Sequence, residues 1–328
     1  MHTLICPHEQ SKGQCLFPSI RQLENQIMKK LFLFILLAGV SLASCSQETK
    51  NNNGQTKNND SIQKPVVVFT HNTDSLTIVE MLQQATELPE DTNLMMFYGR
   101  KFIGFPYVGF TLDQNKEESL VINTKGIDCT TYVENVLALT VCAKRKITDF
   151  EGFSNVLKDV RYIGGKVGYT TRQHYFTIWM EDNIKDGLVE RVNLPDPPLS
   201  ANRTPFVNYM TTHVASYRML NAHKEWLPDI KAMEDKVSHT TFPYIPKQQL
   251  KDSNKYRDYI NDGDIIAIVT DKAGLDVSHV GLASWHKDGL HLLNASSLHK
   301  KVIDEPMTLY QYLQKQKTSV GITLVRVK

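Results

Sequence analysis

The segment TKGIDCTTYVENVLALT, residues 124–140, constrains the fold of this chain more than any other stretch. Its apolar residues after Thr130 recur at helical spacing, which predicts a helix with one face in a core. Asp128 is a favourable N-cap residue for that helix, and Gly126 ends any regular secondary structure before it. Cys129 then lies in the first turn, where free backbone N–H groups and the helix dipole stabilise a thiolate. This position predicts a nucleophile, although a buried structural cysteine is the alternative.

The N-terminal region has the pattern of an export signal. The stretch MKKLFLFILLAGVSLASCSQ begins at Met28 with two lysines, continues with an apolar core and ends in small residues. This core is too short to span a membrane. The residues Leu42-Ala43-Ser44-Cys45 resemble the lipobox of bacterial lipoproteins, in which the cysteine becomes the lipidated first residue. An ordinary cleaved signal that contains Cys45 is the alternative.

The signal and its flanks predict how the chain is organised. We expect residues 1–27 to be an upstream start in the gene model, 28–45 a lipoprotein signal peptide, 46–65 a flexible polar tether and 66–328 a single domain. The expected location is outside the cytoplasm, lipid-anchored to a bacterial membrane and facing the periplasm. By analogy, Ser46 after the lipidated cysteine favours the outer membrane.

Two cysteines follow the tether, and the sequence predicts that they do not pair. Cys129 and Cys142 are thirteen residues apart. On one helix that separation is roughly 20 Å, whereas a disulfide requires Cα atoms within about 7 Å. Cys142 stands among apolar residues and is expected to be a small core side chain. A reduced cysteine is unusual in an exported protein, which favours a chemical role for Cys129.

The order of helical and strand patterns predicts an α+β fold. Helical patterns include DFEGFSNVLKDVRYI and the run VNYMTTHVASYRMLN. After Pro246 strand patterns take over: GDIIAIVT, then VSHVGLASWH and LHLLNASS as a hairpin, then VGITLVRVK. Asp288-Gly289 is the turn signal of the hairpin. Helices followed by an antiparallel sheet are typical of α+β architecture.

A cysteine nucleophile requires a base, and His279 in DVSHVGLA is the candidate. Asn294 in LHLLNASS, on the returning strand, is the candidate for the third residue that orients the imidazole. If Asp288-Gly289 forms a tight turn, His279 and Asn294 share a face but lie four residues apart, roughly 13 Å. A direct hydrogen bond then requires a wider loop, from Ser284 to Gly289.

Other histidines and one arginine suggest two further roles. His286, His291 and His299 crowd one region, as in metal-dependent amidases. Their spacing matches no compact ligand pattern, so we expect surface histidines and no metal. Arg172 and His174, two residues apart on an extended segment, would face the same side and bind a carboxylate of a peptide. An exposed loop without a binding role is the alternative for this pair.

Five blocks together resemble the NlpC-type papain-like cell-wall hydrolases. They occur in the family's order between residues 104 and 296 and read GFPYVGF, GIDCTTYVE, DGDIIAI, SHVGLA and LLNAS. The insertions between them resemble the N-acetylmuramoyl-L-alanine amidase-like branch of exported proteins. This resemblance implies a papain-like core, with the catalytic cysteine at a helix start packed on an antiparallel sheet, plus extra helices. It implies that Cys129 is the nucleophile, His279 the general base and Asn294 the orienting residue.

The resemblance also implies substrate-binding residues around the nucleophile. Tyr107 would approach the scissile carbonyl or line the cleft, and Asp128 would contact substrate or cap the helix. We expect Thr130, which follows the cysteine, to contact substrate as well. No cofactor is expected.

The expected function is hydrolysis of an amide bond in peptidoglycan or its fragments. The resemblance favours the bond between the lactyl group of N-acetylmuramic acid and L-alanine, cut through a thioester. A γ-D-glutamyl endopeptidase, a catalytically silent wall-binding lipoprotein and a zinc amidase are the alternatives. The expected partners are peptidoglycan and, through the lipid anchor, a membrane. No nucleic-acid partner is expected, because Lys and Arg total 37 against 35 acidic residues without a basic stripe.

Overall fold

The computed structural model describes residues 67–69 and 73–328. The predicted signal peptide, Cys45 and the tether lie outside the described residues. The described residues belong to one compact unit. Within these ranges, none of the helices combines the length and the apolar composition that a membrane crossing requires.

Helices dominate the first part of the described chain and strands the last part. The helices are α1 (Asp74–Ala85), α2 (Leu94–Lys101), α3 (Cys129–Lys144), α4 (Phe150–Arg161), α5 (Phe176–Lys185), α6 (Tyr209–Thr212), α7 (Arg218–Ala222), α8 (Leu227–Ser238) and α9 (Leu309–Gln314). The strands are β1 (Val67–Phe69), β2 (Leu120–Ile122), β3 (Val189–Arg191), β4 (Ala201–Arg203), β5 (Phe242–Pro246), β6 (Ile265–Thr270), β7 (Val277–His286), β8 (Gly289–Ser296), β9 (Lys301–Asp304) and β10 (Ser319–Val327).

An antiparallel sheet forms the centre of the fold. Its strands follow the order β4-β5-β10-β6-β7-β8-β9, and β3 also pairs with β10. A separate parallel pair joins β1 to β2. The predicted α+β class is therefore confirmed, as are the hairpin of β7 and β8 and the final strand.

Helix α3 is enclosed on all sides. It packs against α1, α2 and α4, and against strands β7 and β8 of the sheet. Every residue from Thr131 to Cys142 is buried. The helix begins at Cys129 with Asp128 as its N-cap, as predicted, and both cysteines of the helix are free thiols. The segment that first suggested a helix is thus the central helix of the core.

The two faces of the sheet are covered by different layers. On one face, Val280, Leu282 and Leu293 join the core that contains α3. On the other face, Ala283 and Leu292 pack with α9 and with the 3₁₀ segment Lys247–Tyr256. A third apolar cluster joins α5 to the short helices α6 to α8.

The hairpin turn differs from the prediction by one residue. His286 pairs with Gly289, so the turn consists of Lys287 and Asp288, and the wider loop proposed as an alternative is also wrong. Gly289 lies in the strand, at a φ of 143°. This φ disfavours any other residue, and a Cβ there would lie 2.8 Å from the Oγ of Ser253, so backbone conformation and close packing together account for this glycine.

The predicted helix over VNYMTTHVASYRMLN is broken into pieces. Helices α6 and α7 flank the 3₁₀ turn Val214–Ser216, and His213 has non-helical dihedral angles. The Thr211 hydroxyl donates to a carboxylate oxygen of Glu234 on α8, at 2.5 Å. Tertiary contacts of this kind override a helical pattern that has weak formers such as threonine.

A buried ion pair ties three elements together beside the core. Nε of Arg161, on α4, lies 2.7 Å from a carboxylate oxygen of Glu134, on α3. Its Nη1 donates to the carbonyl of Val121, on β2, at 2.7 Å. Both side chains are almost fully buried. Burial raises the pKa of Glu134, and the Arg161 charge acts in the opposite direction.

We predict that Arg161→Met lowers the free energy of unfolding by about 3–5 kcal/mol at neutral pH, because it leaves a buried carboxylate unpaired. Without Arg161 the folded-state pKa of Glu134 rises further above its unfolded value. The deficit should therefore shrink as the pH falls, since the protonated carboxyl needs no counter-charge. Urea unfolding of wild type and variant at several pH values measures both effects.

The control for this prediction is the double variant Glu134→Leu, Arg161→Met. It removes both charges and should cost less than Arg161→Met alone. A single variant that loses under about 1 kcal/mol would show that the pair does not anchor α4.

Candidate active site

A capping box fixes Cys129 at the start of α3. The Thr131 N–H and Oγ1–H both donate to Oδ1 of Asp128, at 2.9 Å and 2.8 Å. In return, the Asp128 N–H donates to Oγ1 of Thr131 at 2.9 Å. Cys129 is only half-buried, as is Thr130 after it. The thiol is therefore held rigidly at the helix N-terminus while remaining accessible.

His279 lies near the start of β7, opposite Ile268 on β6. Its Nε2 lies 2.8 Å from Oδ1 of Asn294 on β8. An amide oxygen only accepts hydrogen bonds, so Nε2 carries the proton and Nδ1 has a free lone pair. This tautomer leaves Nδ1 able to take a proton from a thiol.

The hairpin register explains why His279 and Asn294 meet. With the turn at Lys287 and Asp288, they lie two residues out of register on the same face of the sheet, within reach of a diagonal contact. Gly281 makes room for the amide, because a Cβ there would lie 2.8 Å from Cβ of Asn294 and 2.9 Å from the Leu293 carbonyl oxygen. The predicted shared face is confirmed, and the 13 Å separation is wrong.

The orientation of the Asn294 amide is set by acceptors around its nitrogen. Nδ2 donates to the carbonyl of Leu292 at 3.2 Å and to Oε1 of Glu305 at 3.3 Å. A flipped amide would direct its oxygen at these two acceptors and its N–H at the Nε2–H of His279. The observed orientation alone satisfies all three partners, namely the Nε2–H of His279, the Leu292 carbonyl and Oε1 of Glu305.

Charges around His279 favour its imidazolium form. Burial alone would lower the pKa of His279, but the interaction with the Cys129 side chain, the hydrogen bond to Asn294 and the charge of Glu305 together raise it. The Cys129 side chain and the imidazole therefore interact directly, and this interaction favours the protonated ring of His279. A thiol, an imidazole and an amide in this order suit nucleophilic acyl transfer.

Two tyrosines flank the pair. Tyr107 forms a β-bridge with Ile127, just before the capping box. Burial raises the pKa of Tyr107, and the charges of Cys129 and Asp128 raise it further, so its hydroxyl stays protonated as a donor. Tyr312, on α9, lies with its ring 6.2 Å from the His279 ring. Its pKa is raised by burial, then by Glu305 and Cys129.

Arg172 and His174 are occupied by protein partners. Arg172 is buried, with Nη2 2.5 Å from Asp113 and Nη1 3.7 Å from Glu118. His174 lies with Nε2 2.7 Å from the Tyr169 carbonyl, so this nitrogen donates. Burial, with help from Arg172, holds the pKa of His174 well below its usual range. These contacts favour a structural role for both residues, and their binding of substrate stays a prediction.

The expectation of surface histidines is wrong for His291, which is 1% exposed. The ring of His291 stacks on that of His286, 3.9 Å between centroids and 7° between planes. Together with Asp288 they form a cluster of potential metal ligands. Lone pairs in two parallel ring planes do not converge on one ion, however. Instead His291 contacts Asp288 at 3.0 Å, and His286 contacts Asp304 at 3.1 Å.

Glu305 and Tyr312 are not among the residues that the sequence predicted for this site. Both follow the last block of the motif and stand in segments without a local signal, EPMTLYQY. Only the return of β9 and α9 to the hairpin brings them beside Asn294 and His279.

Comparisons with known proteins identify the family. Residues 97–322 match the model of the AmiA-like, N-acetylmuramoyl-L-alanine amidase-like family. No match was found among curated protein sequences. Among solved structures, an N-acetylmuramoyl-L-alanine amidase from Bacteroides uniformis is 36% identical, with a TM-score of 0.66, over 72% of this chain and 98% of that protein.

Two further structures are similar. A Bacteroides fragilis protein described provisionally as a xylanase is 35% identical, with a TM-score of 0.65, over 70% of this chain and 99% of its own. A protein from Legionella pneumophila is 26% identical, with a TM-score of 0.60, over 77% and 94% of the two chains. Because the family model covers more than half of the sequence, this chain belongs to the N-acetylmuramoyl-L-alanine amidase-like family.

Proposed function

We propose that this chain is a cysteine-dependent N-acetylmuramoyl-L-alanine amidase, which releases stem peptides from N-acetylmuramic acid in peptidoglycan. The observation that carries the proposal is the 2.8 Å contact between His279 and Asn294, which leaves the other imidazole nitrogen free for Cys129. The family and the Bacteroides uniformis amidase support the choice of bond. A helix that begins at the nucleophile and packs on the sheet of its base supports a papain-like, NlpC-type core.

In the first half of the reaction, the Cys129 thiolate attacks the lactyl carbonyl carbon and a C–S bond forms. The carbonyl oxygen becomes an oxyanion. The N–H groups of Cys129 and Thr130 in the first turn, with the Tyr107 hydroxyl, are the donors that we assign to this oxyanion. His279 then gives its Nδ1 proton to the alanine nitrogen, the C–N bond breaks, and the stem peptide leaves as an amine.

In the second half, water resolves the thioester. His279, now neutral, takes a proton from water as the hydroxide oxygen attacks the acyl carbon. The C–S bond breaks, the thiolate returns, and the lactyl carboxylate leaves with the sugar. Asn294 holds the imidazole in the same tautomer through both halves.

The position of Asp128 bears on the choice between amidase and endopeptidase. The resemblance to the NlpC-type hydrolases implies that, in a γ-D-glutamyl endopeptidase, the aspartate before the cysteine would hold a free amine. Here Oδ1 of Asp128 already accepts two hydrogen bonds from Thr131. In an amidase no free amine is present at this point, so a capping role for Asp128 is consistent with the proposed bond.

We further propose that the enzyme is an exported lipoprotein. The support is the signal pattern that begins at Met28 and the lipobox that ends at Cys45. Lipidation of Cys45 would anchor the enzyme to a membrane, in the outer membrane on the periplasmic side. This location would place the site beside its polymeric substrate.

We predict that Cys129→Ala lowers the rate of muropeptide cleavage by at least about a thousandfold, because no other group can form the acyl-enzyme. Defined muropeptides are incubated with the full-length protein, and the products are identified by mass spectrometry. Wild type should release intact stem peptides from the sugar. The matched control is Cys142→Ala, which removes the buried thiol of the same helix and should keep the activity.

Other outcomes of this experiment would support a different function. A cut inside the stem that needs Cys129 would move the enzyme to the γ-D-glutamyl endopeptidases. Inhibition by a chelator but not by thiol alkylation would favour a zinc amidase. If the protein cleaves neither muropeptides nor intact sacculi, a catalytically silent wall-binding lipoprotein becomes the better explanation of its function.

The pH dependence of kcat/KM should have a basic limb set by His279. Its raised pKa lies above the usual 6.5, so the thiolate–imidazolium pair persists above that pH. The pair is lost as the pH rises through this pKa, and kcat/KM should then fall about tenfold per pH unit. Initial rates from about pH 5 to about pH 10 give the limb. A midpoint at or below 6.5 would contradict the assignment.

The anchor can be tested separately from the chemistry. In a Gram-negative host, wild type should partition with membranes and take up a radiolabelled fatty acid, and Cys45→Ala should do neither. Cys129→Ala is the control and should behave as wild type. Equal membrane partitioning of wild type and Cys45→Ala would refute the lipid anchor.

A further inference from the structure

Glu305 is a buried carboxylate directly behind the catalytic residues. It follows β9 and is 0% exposed. Its N–H donates to the Leu292 carbonyl at 3.0 Å, and its own carbonyl accepts from Nδ1 of His291 at 2.7 Å. Its backbone is therefore fixed to β8 on both sides. Its side chain turns towards Asn294, where Oε1 accepts from Nδ2 at 3.3 Å.

The groups around this carboxylate come from four elements. Asn294 reaches it from β8, and Nε2 of His299, in the loop before β9, lies 3.2 Å from Oε2. Its negative charge acts on His279 from β7 and on Tyr312 from α9. None of these groups is a permanently charged partner such as arginine. A buried carboxylate in such surroundings costs folding free energy, which points to a role other than stability.

We propose that Glu305 is a positioning residue of the reaction, which holds the Asn294 amide so that its oxygen faces His279 and places a negative charge behind the imidazole. This inference rests on the proposed function of Cys129, His279 and Asn294. It extends the site to a chain of four residues, from thiol to imidazole to amide to carboxylate.

The donors and acceptors around the Asn294 amide support the orientation role of Glu305. Without Oε1 of Glu305, only the Leu292 carbonyl distinguishes the two ends of the Asn294 amide. A flipped amide would present N–H to the proton on Nε2 of His279. It would then no longer hold the imidazole in the tautomer that catalysis needs. The charge of Glu305 acts separately from its hydrogen bond to Asn294. A carboxylate on the far side of the imidazole stabilises the imidazolium that pairs with the thiolate in the proposed mechanism.

The test uses Glu305→Gln, which keeps the acceptor oxygen and the size but removes the charge. Alkylation of Cys129 by iodoacetate is measured against pH in the full chain. This anionic reagent requires the neighbouring imidazolium, so the basic limb reports the protonation of His279. The modified tryptic peptide 126–144 is fragmented to separate Cys129 from Cys142. The matched control is Asp304→Asn, whose carboxylate contacts Ser284 and His286 instead.

We expect Glu305→Gln to move the basic limb to lower pH by about half a unit to one unit. Asp304→Asn should leave the limb where it is. A limb in Glu305→Gln that coincides with wild type would overturn the charge role. Because alkylation needs no peptidoglycan, this outcome is separable from a wrong substrate assignment.

The orientation role is tested by a double-variant cycle on kcat/KM. Glu305→Asp withdraws the carboxylate from Asn294 but keeps the charge, so kcat/KM should fall on the order of tenfold with the basic limb unchanged. In an Asn294→Ala background the same substitution should have no further effect. Additive losses, or an unchanged kcat/KM in Glu305→Asp, would show that Glu305 does not act through Asn294. If Glu305→Gln fails to fold, this cycle decides the proposal.

Discussion

The fold depends on one apolar helix that has to be enclosed. Helix α3 buries every residue from Thr131 to Cys142, so no side of it can face water for three turns. The sheet covers one side, and α1, α2 and α4 cover the rest. An unpaired charge would be costly inside this enclosure, and Glu134 is paired with Arg161. The two ends of α3 emerge from this enclosure, and the N-terminal end carries the half-buried Cys129.

The candidate site therefore lies where the buried helix α3 reaches the protein surface. A capping box fixes the start of the helix, and the hairpin register fixes the place where imidazole and amide meet. The two devices are independent, since one is local to residues 128–131 and the other involves β7 and β8. Glu305 and Tyr312 complete the surroundings from a third direction. The residues of the candidate site thus come from three separately stabilised parts of the fold.

Sequence alone predicted the parts of this site that follow local rules. The helix start at Cys129, its Asp128 cap and the shared face of His279 and Asn294 follow from capping preferences and the two-residue period of strands. The hairpin turn was misplaced by one residue, because the glycine after Asp288 has its positive φ at the first position of β8 and not within the two-residue turn.

The remaining errors and omissions involve residues far apart in sequence. Glu305 reaches the site only through the pairing of β9, and the buried partners of Arg172 come from another segment. The packing around Asn294 also depends on residues far apart in sequence, and it limits which substitutions the site can accept. Gly281 leaves no surplus volume opposite the amide, so any side chain at 281 would displace it. An engineer who exchanges Asn294 for the larger histidine must keep this glycine, because the two positions share one volume.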